Sequence, residues 1–120
     1  MVNLDTHLLV FTAHDQLTPE EQRLIAAEDL AISDIVLWEL AMLAQRGRAV
    51  LDFASPEFRL LHGRLCIIPI SLEIARMSTR LDFSSDFADE IIAATSVVER
   101  IPLLTRDRRI LKSRMVPFAR

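Results

Sequence analysis

The chain has one cysteine, two glycines, one tryptophan, one lysine and no tyrosine among its 120 residues. With Cys66 alone there can be no internal disulfide and no cysteine-based zinc site. Cys66 lies in the apolar run 65–68, which predicts a buried strand with the thiol as a small core hydrophobe. So few glycines and no tyrosine argue against an all-β sandwich or barrel, which needs many turns. Gly47 and Gly63 stand too far apart for a phosphate-cradling loop. The longest uncharged run, 6–14, is far short of the ~20 residues of a membrane helix. Asp5 sits where a secretory leader would be basic. The lone thiol and the missing leader set the expectation of a reducing cytoplasm and no membrane.

What is present suits a packed core. Hydrophobic residues make up 51% of the chain and charged residues 26%. The length fits one domain over 1–120, and no repeat or Ser/Gly linker divides it. The net charge of −3 excludes a polycation that coats nucleic acid by charge alone. The charge is uneven, however. Residues 1–99 carry 7 Lys/Arg and 16 Asp/Glu, and residues 100–120 carry 7 and 1. Thirteen of the 14 basic residues are Arg, with Lys112 the exception. Arginine suits bidentate phosphate contacts, so the basic end is either a phosphate-binding edge or a solvated tail.

The predicted elements alternate. Strands are expected at 2–4, 30–32, 65–70 and 101–105, with a last one near 115–117. Helices are expected at 8–14, from Thr18-Pro19-Glu20-Glu21 to about Glu28, from Ser33 or Asp34 to about Gln45, from Ser55-Pro56-Glu57 to about Leu61, over 71–79 and over 86–100, with a short helical turn after 105. Thr, Ser and Asp at the starts and Pro in the first turns are N-terminal signals, and Gly47 is a stop. Strands alternating with helices mean α/β with a largely parallel sheet. In that class ligands bind at the carboxyl ends of the strands.

Acids cluster where acids are costly. Asp5 ends the first strand and Asp107 lies just past a late one, so both point to one sheet edge. Asp is common after strands, and neither singles itself out alone. Glu39 has Ile35, Val36, Met42 and Leu43 at its i±3 and i±4 positions. A carboxylate inside an apolar stripe needs a partner or a metal; the alternatives are a place at the stripe's edge or a buried Arg. Asp86 and Asp89 fall in the first turn of the 86–100 helix, where capping and the dipole would explain them. Asp89 also adjoins the apolar run that follows. Asp5, Glu39, Asp89 and Asp107 come from four elements with no equal count of bases. The usual resolution is a hard divalent cation, Mg²⁺ or Mn²⁺, which can activate water at a phosphodiester. Thr6 and Thr105 flank the strand-end aspartates and could orient a carboxylate or a water. His7, His14 and His62 show no metal-ligand spacing. Trp38 and the Met42/Leu43 face suit the core or a dimer contact better than nucleic-acid stacking.

Five stretches in order resemble the PIN-domain family, and within it the VapC-type toxins of bacterial toxin–antitoxin pairs. They are Asn3-Leu4-Asp5-Thr6-His7; residues 32–41, ending Trp38-Glu39-Leu40-Ala41; Arg46-Gly47-Arg48; residues 86–95, beginning Asp86-Phe87-Ala88-Asp89-Glu90; and Leu103-Leu104-Thr105-Arg106-Asp107. The resemblance implies an α/β/α sandwich and a Mg²⁺- or Mn²⁺-dependent endoribonuclease. It carries the family's acidic quartet onto Asp5, Glu39, Asp89 and Asp107, with Asp86 as a further acid. It also implies RNA as substrate, a homodimer and a VapB-type antitoxin. In that reading Arg106, Arg108 and Arg109 help hold the RNA backbone. Where the family often has Asp-Pro-x-Asp-Arg, this chain has Phe87 and Glu90 in place of the proline and arginine. Which of Asp86, Asp89 and Glu90 does most of the ligation is left open by that change.

Acid-pocket phosphotransfer domains fit the residues less well. A receiver pairs two acids after its first strand and uses a lysine, and here Asp5 stands alone. A haloacid-dehalogenase-like phosphatase needs an Asp two residues on, where this chain has His7. A non-catalytic PIN-like interaction module is the remaining alternative.

Overall fold

Proline sets the length of the outer strands. In the computed structural model, which describes residues 1–47 and 51–120, β3 runs Leu65–Ile68 and stops at Pro69. β4 is only Leu103–Leu104, because Pro102 cannot donate to a ladder. The strands expected at 65–70 and 101–105 are therefore shorter. The strand expected near 115–117 reduces to a single parallel bridge between Leu103 and Phe118, one residue later, after Pro117. The inner strands, β1 (Val2–Leu4) and β2 (Leu30–Ser33), are buried throughout. The order is β3-β2-β1-β4 and every pair is parallel.

Parallel strands need crossovers, and helices supply them. α1 (Thr6–Ala13) starts two residues earlier than expected, because the Asp5 side chain caps it. α2 (Pro19–Ala27) starts with a capping box, in which Thr18 and Glu21 each bond the other's backbone N–H. α3 (Asp34–Gln45) is capped by Ser33 and α4 (Pro56–Arg64) by Ser55. α5 (Leu72–Ser78), α6 (Phe87–Glu99) and the single turn α7 (Arg108–Leu111) complete the set. Arg48, the last residue of the Arg46-Gly47-Arg48 stretch, lies outside the described residues. Among the described residues no helix is long and apolar enough to cross a membrane.

The period-two alternation of β2 divides the core. Leu30 and Ile32 join Val2, Leu4, Leu8, Leu9, Val36 and Leu40 in the larger cluster. Ala31 faces the other way, with Ile68, Ile74 and Ala94. Each fully buried Leu or Ile contributes about 1.5–3 kcal/mol. Cys66 corrects the sequence expectation. It is exposed, because β3 is an edge strand and the helices do not cover its middle. Trp38 is likewise outside the core, at 55% exposure.

One polar residue ties the layers. Asn3 is fully buried on β1, and its Nδ2 donates to Ser96 Oγ at 2.9 Å and to the Ile92 carbonyl at 3.3 Å. This fixes α6 across the strand that carries Asp5. Asn3→Ala strands Ser96 and leaves a cavity, and urea unfolding should show a loss of about 2 kcal/mol. A loss below about 0.5 kcal/mol would mean that the bridge contributes no more than a surface contact.

Candidate active site

The carboxyl edge of the sheet receives the amino ends of α1, α3, α6 and α7, and acids stand at each. Helix N-termini favour negative charge, which lowers the cost of holding carboxylates there. Asp5 is 3% exposed and caps α1, with Oδ1 accepting from the Leu8 amide at 2.8 Å. Its Oδ2 accepts from the Thr105 hydroxyl. Thr105 Oγ1 in turn accepts from the Asp107 amide at 3.0 Å. Asp107 Oδ1 caps α7, accepting from the amides of Arg109 at 2.8 Å and Ile110 at 3.3 Å. A continuous hydrogen-bonded chain thus runs from β1 to α7.

Glu39 is half-buried beside Val36 and Leu40, which form the centre of the stripe. It therefore sits at the stripe's edge. Its partner is the buried Thr6 hydroxyl, which donates to Oε1, and not an arginine. Asp86 is exposed and caps α6, accepting from the Asp89 amide at 2.9 Å. Asp89 accepts from Ser85 Oγ at 3.0 Å. Glu90 turns back, its Oε2 within 3.4 Å of the Ser85 amide. Ser85 was not singled out from the sequence; its only signal is its place just before a helix-capping aspartate.

The charges are felt across the edge. Burial pushes the Asp5 carboxyl up, and Asp107 adds to that; Thr105, the Leu8 amide and His7 oppose. Burial also raises Asp89, followed by repulsion from Asp86 and then from Glu39 and Asp107, against the Ser85 hydroxyl; the result is about 6. The charges of α3, α6 and the β4–α7 loop are thus all felt at Asp89. Among the described residues, no three His, Cys, Asp or Glu side chains converge closely enough to enclose a metal ion directly. The donors are all hard oxygens, which suits Mg²⁺ or Mn²⁺. Mg²⁺ usually keeps several waters and takes only one or two carboxylates, so the open spacing fits a hydrated ion.

The arginines divide. Arg106, though exposed, is folded back onto α2, donating to Glu21 at 2.9 and 2.6 Å and to the Gln16 carbonyl at 3.0 Å. Its guanidinium also lies 4.1 Å from the Phe11 ring centre. The pair holds the Glu21 carboxyl below its usual range. Arg106 therefore anchors the β4–α7 loop to α2. Arg108 and Arg109 are exposed on α7. A cleft of about 220 Å³ lies against Asp5, His7, Phe11, Arg106 and Asp107. A second groove of similar size runs along Trp38, Glu39, Met42 and Phe87.

Comparison with known proteins follows the same outline. The family model for the PIN domain matches residues 2–114, and the chain belongs to that family. No curated protein sequence matches it. Among solved structures it is similar to a chain of a toxin–antitoxin complex from Klebsiella pneumoniae (24% identity, TM-score 0.68, covering 93% of this chain and 91% of that one). It is also similar to a chain of VapBC2 from Rickettsia felis, solved bound to a DNA fragment from the promoter (18%, 0.75, 99% and 98%). A third is a chain of FitAcB from Neisseria gonorrhoeae (20%, 0.66, 99% and 97%). At these identities the likeness is one of fold.

The lifted carboxyl has a consequence for stability. Asp89 keeps its proton to about pH 6 when folded, against 3.8 in the unfolded chain. The folded state then binds more protons across that window, so stability falls as pH rises through it. Asp89→Asn removes the charge. It should raise Tm at pH 7 by roughly 2–5 °C and flatten the pH dependence between those values. A variant that melts below the wild type at pH 7 would show that the Ser85 contact outweighs the repulsion.

Proposed function

We propose that the chain is a divalent-metal-dependent endoribonuclease and the toxin component of a VapBC-type toxin–antitoxin pair. The observation that carries this is the meeting of acids from separate elements at the carboxyl edge of a PIN-domain sheet, where their mutual repulsion helps lift Asp89 to about 6. Arg106, which lines the cleft with Asp5 and Asp107, is bonded to Glu21, so its charge is shared between that pair and the acidic edge. Asp5, Glu39, Asp89 and Asp107 would hold the ion, with Asp86 at the margin. When bound, Mg²⁺ or Mn²⁺ supplies the Lewis acidity that activates water and neutralises charge at an RNA phosphodiester.

The chain's own groups do the rest. Thr105 and Thr6 fix the carboxylates of Asp5 and Glu39, so little reorganisation is needed when substrate arrives. Burial of Asp5 restricts water around its carboxylate. Arg108 and Arg109, exposed beside Asp107, offer phosphate contacts that offset the repulsion between RNA and an acidic edge. Arg106 contributes by holding the loop, with its fork engaged elsewhere. The toxin–antitoxin complex and the VapBC2 structure that share the fold support a cognate VapB-type antitoxin as partner; the homodimer and the cytoplasm are what the family resemblance implies.

The test is cleavage of a mixed structured-RNA pool with Mg²⁺, Mn²⁺ or EDTA, for wild type, Asp5→Asn and Asp89→Asn. Asparagine keeps the capping bond of Asp5, so the first variant should stay folded, which a thermal melt checks. Cleavage should need the metal and fall at least about 100-fold in both variants. Intact RNA in every condition, together with no divalent-ion binding by calorimetry, would leave a non-catalytic PIN-like module instead.

A further inference from the structure

Two of the most exposed aromatic rings stand beside the acids. Trp38 is 55% exposed and Phe87 84%. Both line the groove of about 220 Å³ that also holds Glu39, Met42, Asp86 and Arg46. Neither ring pairs with another ring among the described residues. Phe87 occupies the first position of α6, directly after the capping Asp86, and makes no part of either core cluster. Trp38, Met42 and Arg46 recur at i+4, so they share one ridge of α3. Arg46 closes that ridge, about 12 Å of helix rise beyond Trp38. Glu39 lines this groove and is also one of the acids acting on Asp89. An occupant of the groove therefore lies against the reacting edge.

We propose that the groove receives an unpaired nucleobase next to the bond being cut, stacked on Trp38, with Phe87 as the opposite wall and Arg46 on a flanking phosphate. The inference rests on the ribonuclease reading above. It deepens that reading by naming the substrate as RNA with an unstacked base at the cleavage site. The chemistry of the wall favours a nucleotide over a wholly apolar segment. A base has a π face for the rings and N–H donors on its edge for the acceptor-only carboxylate of Asp86. Its phosphate is the ligand that a guanidinium holds best. Stacking on aromatic side chains is the general means by which proteins hold single-stranded RNA, and it requires the base to leave its helix.

Trp38 is the only tryptophan, so its emission reports this groove alone. The full chain, with Ca²⁺ in place of Mg²⁺ to hold back cleavage, is titrated with three probes. These are a short single-stranded oligoribonucleotide, the abasic ribose-phosphate oligomer of equal charge, and a blunt RNA duplex. The single strand should quench the emission saturably; the abasic oligomer and the duplex should not. In cleavage with Mg²⁺, Trp38→Ala should raise KM about tenfold with a smaller change in kcat, and Trp38→Phe should recover most of the loss. Because Trp38 is exposed, both variants should melt with the wild type. RNA cleaved with Trp38→Ala at unchanged KM, or cleaved with no quenching, overturns the proposal and leaves the nuclease reading standing. Emission that shifts with protein concentration alone would assign the groove to a second copy of the chain and overturn it too. No cleavage by the wild type with any metal removes both readings together.

Discussion

The Asp5 carboxylate is the constraint on which the edge depends. One oxygen caps α1 through the Leu8 amide, and the other receives the Thr105 hydroxyl. Thr105 then accepts from Asp107, which caps α7. A single carboxylate thereby sets the start of the first helix and holds the end of β4 against β1, although β4 has only two residues. A strand that short cannot fix its own register by backbone bonding alone. The bond joins residues 100 positions apart, so it ties the two ends of the chain together at one edge of the sheet. Desolvation raises the cost of the charge, and three donors or cations offset it. The same atoms that stabilise the fold are thus poised at the edge where chemistry is expected in a parallel sheet.

The second feature is the engagement of a basic residue that stands at that edge. A basic residue between two acids would ordinarily neutralise them. Arg106 lies between Thr105 and Asp107, but it points to Glu21, whose own position is fixed by the capping box of α2. Two oxygens of Glu21 and the Phe11 face take up its fork and its plane. The acids still repel one another, and Asp89 shows it. An arrangement of this kind stores unfavourable charge that a divalent cation would relieve.

Much of this was legible in the sequence, for reasons that differ by residue. The capping residues Thr18, Ser33, Ser55 and Asp86 announced their helices, because a side-chain oxygen before a helix has a local cause. The parallel sheet followed from the alternation of elements. Cys66 did not follow, and Trp38 stayed divided between the core and a contact surface, because apolar runs report what can be buried and say nothing of which strand is at an edge or which helix face stays open. Glu39 was recognised as costly within its stripe, yet its partner Thr6 lies 33 positions away and no local pattern links them. The folding back of Arg106 onto α2 depends on Glu21, 85 positions distant, and was equally invisible. The acids themselves could be collected from strand ends and helix starts because parallel topology sends those points to one side.

The exposed rings beside the acids complete the argument about what this edge can select. In the proposed nuclease, four carboxylates would attract a cation and, through it, any phosphodiester; they would not distinguish one nucleotide from another. Discrimination needs a surface that reads a base, and bases are read by stacking and by their edges. Holding Trp38 and Phe87 in water forgoes the stabilisation that burying two aromatic rings would give. Phe87 stands at a helix position that proline would fill with less exposed surface. Through Glu39, which lines the groove and also acts on Asp89, occupancy of the one surface bears on the charge balance of the other. Selection and chemistry are in this way joined by a single turn of α3.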